Sequence, residues 1–253
     1  RIGKFTNFIN HPIIASDKIY HFRNKMEFTF GANRWLTQEE IDTREDIDSK
    51  HFALGLHPLG RYDKVIDMEY CKIQDSYADD ILNAIRKKAN QLELSAYNVR
   101  TFEGFLRNLI IRHSSTYDNF LVILVTNSIN NDNEDIFIEW LKDEFAVKFN
   151  KIISLFHAIN NTNNPVTVNK LTLLSGIDHL KERILDIEYK VSPYSFFQTN
   201  TYQLNNFIEH IINTTKLDKN TICWDLFCGA GSITFPLSKK CNKVIGIELS
   251  KSS

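Results

Sequence analysis

The segment Asp225-Leu-Phe-Cys-Gly-Ala-Gly-Ser232 holds the residues of this chain best placed to do chemistry. Two short apolar runs bracket it, Thr221 to Leu226 before and Lys243 to Glu248 after, with helical spacing between them. Gly229 and Gly231 lack a Cβ, so the backbone there can turn sharply and let a ligand come close. A helix starting just beyond aims its free N–H groups at that ligand. Glu248 falls at the tip of the second run, seventeen residues after Gly231, where a carboxylate accepts hydrogen bonds from both hydroxyls of a ribose. A glycine turn with no ligand is the plainer reading. Strands on both sides and an acid at the second tip favour a nucleotide-type site.

Two neighbours bear on which nucleotide. A dinucleotide fingerprint needs a third small residue three positions after Gly231, and that position is Thr234. Asp225, four residues before Gly229, would repel a pyrophosphate. A carboxylate there suits a ligand with an ammonium and a sulfonium, and S-adenosylmethionine carries both. The other reading of Asp225 is a carboxylate that caps local amides.

The remaining chemistry is sparse. Cys71, Cys223, Cys228 and Cys241 form no C-x-x-C pair and no zinc spacing. They read as reduced thiols of a cytoplasmic protein. No apolar run nears the roughly 18 residues that cross a bilayer, so no membrane partner is expected. The net charge of −1 excludes a globally basic nucleic-acid binder and leaves a local basic face open. At 253 residues and 43% hydrophobic, the chain can bury a core without a metal or disulfide. The opening Arg1 and the run Glu248 to Ser253, which follows a strand with no closing element, read as cuts in a longer protein.

Asp225-Leu-Phe-Cys-Gly-Ala-Gly-Ser232 together with Ser192-Pro-Tyr-Ser-Phe-Phe-Gln-Thr-Asn200 resembles the RNA uracil-5-methyltransferases, which make 5-methyluridine in 23S ribosomal RNA and in the tRNA T-loop. Phe22-Arg-Asn-Lys-Met-Glu-Phe28, His57-Pro-Leu-Gly-Arg61, Cys71-Lys-Ile-Gln74 and Leu106-Arg-Asn-Leu-Ile-Ile-Arg112 extend the resemblance over most of the chain. It implies a three-part protein: an oligonucleotide-binding barrel, a central domain, and a Rossmann-like methyltransferase domain. This chain would hold the central domain and the start of the last. Gln198, Phe227, Ser232 and Glu248 would contact S-adenosylmethionine, Ser232 at a position that is often Asn in the family. On the residues alone, Phe227 is either a wall of the adenosine site or a core aromatic, and Gln198 either lines a cleft or caps a helix. Cys71 matches one of four cysteines that hold a 4Fe–4S cluster in some members. The other three would precede Arg1, so Cys71 is either that fourth ligand or a free thiol at a strand end.

The same resemblance implies the reaction. A cysteine thiolate adds to carbon 6 of uracil, which activates carbon 5 for methylation, and a glutamate base then removes the carbon-5 proton. Both groups would lie beyond Ser253, so no catalytic residue is expected here and the piece alone should be inactive. Cys228 reads as packing in the turn. The RNA partner would be 23S rRNA first and tRNA second, met by a monomer. Arg23, Lys25, Arg61, Arg107 and Arg112 are candidates for phosphate contacts, and Phe196 for stacking on a base. For each cation an ordinary solvated charge is the alternative. Competing functions are a methyltransferase for another substrate class, a non-catalytic RNA-binding relative, and a nicotinamide oxidoreductase disfavoured by Thr234 and Asp225.

The elements that must position these residues follow from periodicity. Residues 20 to 30 alternate, with Tyr20, Phe22, Met26, Phe28 and Phe30 on one face and His21, Arg23, Lys25, Glu27 and Thr29 on the other. Phe52 to Leu56 and Lys64 to Tyr70 read as a hairpin about His57-Pro-Leu-Gly60. Ser76 caps a helix with Ile81, Ile85, Ala89 and Leu92 on one side. Strands at 106–113 and 119–127, a helix at 134–148 and a strand at 151–157 complete a ferredoxin-like α+β order. Ile184 to Val191 forms one more strand. A helix through Leu204 and Ile212, capped by Asn200, opens the Rossmann-like part. The division expected is 1–189 for an RNA-binding α+β domain and 190–253 for the first part of a methyltransferase domain.

Overall fold

Lys25–Gly31 (β1) buries Met26, Phe28 and Phe30 on one side and sends Lys25, Glu27 and Thr29 to the other, as a pleated strand requires. In this computed structural model, which describes residues 8–43 and 52–249, β1 lies inside a seven-stranded sheet. The other strands are β2 (Ala53–Leu56), β3 (Ile66–Asp67), β4 (Leu106–Ser114), β5 (Asn119–Thr126), β6 (Ile152–Ile159) and β7 (Lys170–Gly176), in spatial order β3-β2-β1-β4-β5-β6-β7. Only β5 and β6 pair in parallel within this sheet. β4 and β5 are buried on both faces; β5 is accordingly a nearly continuous apolar run, whereas β4 also buries Arg107, Arg112 and His113.

Each face has its own core. On the first, α2 (Ser76–Gln91) presses Ile81, Leu82 and Ile85, and α3 (Asp132–Trp140) presses Phe137, against Phe28, Phe30, Leu54, Leu109 and Phe120. The helix after Trp140 widens into a π turn, Leu141–Phe145, and ends in α4 (Ala146–Lys148). A short α1 (Gln38–Thr43) lies outside, with no buried residue. The second face carries Ile110, Leu121, Ile123, Val125, Phe156 and Ala158. A hairpin of β8 (Leu180–Ile184) and β9 (Ile187–Val191), the residue Phe197, and α5 (Thr201–Thr215) cover it in part. The chain then runs into β10 (Ile222–Leu226), the glycine loop, α6 (Thr234–Ser238) and β11 (Lys243–Ile247). β10 and β11 pair in parallel, the opening unit of a doubly wound domain.

The expected ferredoxin-like strand order is corrected. That order would set the strand before α2 beside β5 and β6. Instead β1 supplies the antiparallel neighbour of β4, β5 pairs directly with β6, and the strand before α2 is a two-residue stub at the sheet edge. Asp75, not Ser76, caps α2, its side chain accepting from the Tyr77 N–H. Asn200 caps α5 as expected, accepting from the Gln203 N–H at 3.1 Å. β7 and β8 are strands the periodicity did not reveal. Among the described residues no helix is long and apolar enough to cross a membrane.

Glu182 fastens the second-face layer to the sheet. It is 2% exposed and accepts from Ser115 N–H (2.8 Å), Ser115 Oγ (3.1 Å) and Thr116 N–H (3.2 Å) in the β4–β5 turn. Glu182→Ala leaves those donors unsatisfied and should cost about 3 kcal/mol in urea unfolding. On β6, His157 is buried against Thr126, with Oγ1 and Nε2 2.8 Å apart. Burial first, and the Lys170 charge second, push its pKa down from 6.5 to about 4. The unfolded chain therefore takes up this proton before the folded one does, and stability falls as pH drops from about 6.5 to about 4. His157→Gln should flatten that part of a stability–pH curve.

Candidate cofactor crevice and nucleic-acid face

The glycine loop is built by three left-handed residues. Phe227, Gly229 and Gly231 have φ of 65°, 53° and 77°. At Gly231 a Cβ would stand 2.6 Å from the Phe235 ring, so both conformation and space demand glycine there. The N–H groups of Phe227 and Cys228 both donate to the Ile247 carbonyl, which ties the loop to the end of β11. Glu248 then reaches across, and its Oε2 accepts from the Gly229 N–H at 2.8 Å. The acid and the glycine bend thus share one crevice. Asp225 accepts from Thr234 Oγ1 at 2.5 Å, so the threonine that departs from the dinucleotide pattern is the partner of the acid that does the same. Between Ile222 and Thr234 there is no Lys or Arg. Two carboxylate acceptors suit ribose hydroxyls and a cationic group, and disfavour a pyrophosphate.

Phe227 is 87% exposed, so it is not a core aromatic within the described residues. Ser232 is buried. The neighbouring Gly231 carbonyl accepts from the Tyr189 hydroxyl at 3.4 Å. Cys228 packs against β11, its Sγ 2.9 Å from where a Cβ on Gly246 would stand. α6 is a single turn with no side-chain cap, so the expected donation from a long helix is not what shapes this crevice.

The Ser192–Asn200 segment is held from the sheet. Asn24, at the start of β1, donates through its side chain to the Gln198 carbonyl (2.9 Å) and through its N–H to the Thr199 carbonyl (2.9 Å). Arg112 on β4 donates to the Ser195 carbonyl. Phe197 points into the second core and meets Tyr189 edge-on at 5.7 Å. Its neighbour Phe196 is 61% exposed beside the glycine loop, its ring 3.5 Å from where a Cβ on Gly229 would stand. Phe196 and the loop therefore meet, as their sequence positions alone did not require.

The five candidate cations divide. Arg23 is exposed and Lys25 half-buried on the face that carries Phe196. Arg61 sits near the β2–β3 turn and pairs with Asp63 at 3.0 Å, while Arg100 also binds Asp63, and the two guanidiniums hold that carboxyl at about 2. Arg107 and Arg112 require correction as surface phosphate contacts. Arg107 is 5% exposed, donates to Asn127, Asn160 and Thr162, and stacks 3.8 Å from the Tyr97 ring. Arg112 is 3% exposed, and burial pushes its pKa down to about 10, still well above neutrality. Cys71 is buried at the end of its loop, and its N–H donates to Asp79 at 3.0 Å. Among the described residues no three His, Cys, Asp or Glu side chains gather to hold a metal, so nothing here supports the iron–sulfur reading. Sequence reasoning missed Asn24, which lies inside a quoted motif, where a polar residue breaking an apolar alternation was the available signal.

A family model described as tRNA (Uracil-5-)-methyltransferase matches residues 169–253. A protein of Bacteroides thetaiotaomicron named an uncharacterized RNA methyltransferase is 39% identical over 98% of this chain and 54% of its own length. One so named from Chlorobaculum tepidum is 32% identical over the whole chain and 52% of its length. The chain spans about half the length of the curated relatives it matches. The fold is shared with the Pyrococcus abyssi tRNA (uracil-54, C5)-methyltransferase, solved with S-adenosyl-L-homocysteine. The TM-score is 0.67 and the identity 20%, over 93% of this chain and 51% of that one. The crevice opens at the start of the final third of the segment that the family model matches, the relatives align along nearly the whole chain, and the chain thus resembles the RNA uracil-5-methyltransferases over most of its length.

Proposed function

We propose that this chain is part of an enzyme that transfers a methyl group from S-adenosylmethionine to carbon 5 of a uridine in RNA, either 23S rRNA or tRNA. The carrying observation is the crevice: Glu248 meets the Gly229 N–H, Asp225 lies at its base, and the loop holds no cation. Glu248 would take the ribose hydroxyls, exposed Phe227 would lie along the adenosine, and Gln198 and Asp225 would face the amino-acid end. Ser232, buried within the loop, would be a further contact of the cofactor. The cofactor supplies an electrophilic methyl group on a sulfonium.

The chain's own residues then present the base. Asn24 and Arg112 fix the backbone on both sides of Phe196, leaving its ring free beside the crevice to stack on an unstacked base. Arg23 and Lys25 on the adjoining strand meet the phosphates. Activation of carbon 5 through a thiolate adduct at carbon 6 needs a nucleophile that none of these four cysteines provides. Cys71 and Cys241 are buried, Cys223 lies within β10, and Cys228 packs on Gly246. That thiolate and the base that removes the carbon-5 proton are assigned to chain beyond residue 253.

Two experiments test this reading. In calorimetric titration of the full-length gene product, S-adenosylhomocysteine should bind and NADH should not. Glu248→Ala should weaken S-adenosylhomocysteine about tenfold or more, the worth of hydrogen bonds to a charged acceptor. Unchanged affinity, or binding of NADH alone, would sink the cofactor assignment. Mass spectrometry of ribosomal and transfer RNA from cells lacking the gene should show a lost 5-methyluridine. The full-length gene should restore it, whereas residues 1–253 alone should not.

A further inference from the structure

The second face of the sheet is not wholly covered. The hairpin, Phe197 and α5 lie over the part that carries Leu121, Ile123 and Phe156. Toward Asn108 and Val125 the covering stops, and a cleft of about 470 Å³ opens between the sheet, the Pro165–Val168 turn and Tyr194. That size lies within the roughly 300–1,000 Å³ of small-molecule sites. A second hollow of about 270 Å³ adjoins it, lined by Arg23 and Phe196, and the two share Lys25, Glu27 and Tyr194. The pair forms one track that begins beside the glycine loop and ends in the cleft.

We infer that this cleft is a second nucleotide subsite, which takes an unstacked guanine of the same RNA strand whose target base lies beside Phe196. The inference rests on the RNA-methyltransferase reading above. The floor is apolar, from Ile110 and Val125, and Val166 and Val168 form a wall, so a flat ring has surfaces to lie against. Strand register sets the polar groups at one rim: Glu27 opposite Ile110, Lys25 opposite Arg112, and Asn108 opposite Thr29. Tyr194 closes one side, its hydroxyl buried with no hydrogen-bond partner.

Charge selects the base over its phosphate. Glu27 is the one acid lining the track, and it would repel an anion in the cleft. Arg23 stands on the Phe196 side and Lys25 between the two hollows, where the linking phosphates would run. A carboxylate only accepts hydrogen bonds. Guanine alone of the four RNA bases offers it two adjacent donors, N1–H and the 2-amino group. Next to these sits the O6 acceptor, which Asn108 or Lys25 can meet.

The test compares short oligouridylates carrying a single guanosine, inosine or adenosine, by fluorescence anisotropy with the full-length protein. The readout is the ratio of affinities, because removing an acid strengthens all RNA binding through charge alone. Guanosine should be preferred to adenosine by at least about fivefold, with inosine between them. Glu27→Ala should abolish the preference, with circular dichroism reporting that the variant is folded. Equal affinity for the three RNAs, or a guanosine preference that survives Glu27→Ala, overturns the subsite. Failure to bind any of them while S-adenosylhomocysteine still binds overturns the RNA reading and the subsite with it.

Discussion

A buried arginine with no carboxylate against it sets the geometry of this protein. Arg112 lies on β4 in the middle of the sheet, and its guanidinium donates to the carbonyl of Ser195. Its Nε has no partner. Burying a guanidinium is costly, and one carbonyl repays only part of that. The rest of the compensation is electrostatic and comes from Glu27 on β1, which raises the Arg112 pKa against the larger effect of burial. The cation is therefore bound at once to the segment that carries Phe196 and Gln198 and, through space, to the acid of the open cleft. A neutral side chain at 112 would fill the same volume and lose both links.

The consequence runs along the chain. Asn24 makes the matching attachment from β1, so two strands that are hydrogen-bonded neighbours hold one short segment at Ser195, Gln198 and Thr199. Phe197 is then driven into the second core and Phe196 turned out, since adjacent residues of an extended segment face opposite ways. α5 starts at once under the Asn200 cap and delivers the chain to β10. The glycine loop thus ends up against Phe196 because of contacts made from β1 and β4, 174 and 83 residues along the chain from the carbonyls they hold.

What the sequence disclosed follows from range. The loop, its glycines, the acid at the second strand tip and the cap of α5 are local signals, and each is found where spacing put it. The central helices and strands were legible because their periodicity spans many residues. The order of the strands was not, because nothing local keeps the strand before α2 out of the place between β5 and β6; in the fold those two pair directly, and β1 packs Phe28 and Phe30 under α2. β7 was hidden for a different reason. As an edge strand with half-exposed Leu171 and Leu173, it lacks a buried side to impose alternation.

Arg107 and Arg112 show why the type of a residue says little about its partner. Both sit on β4, Arg107 at the register shift between Leu106 and Asn108 and Arg112 in its regular part. One enters a cage of carbonyls and the Tyr97 ring, the other clamps Ser195. Neither could be told from a surface phosphate ligand by sequence, since an arginine satisfied by backbone carbonyls has no acidic neighbour to betray it. The exposed Arg23 is distinguished only by standing before the strand becomes regular, where no second layer covers it. On the proposed reading, nucleic-acid contact would be set less by how many cations a strand carries than by where the covering hairpin stops, and that edge is where Lys25, Glu27 and Tyr194 converge.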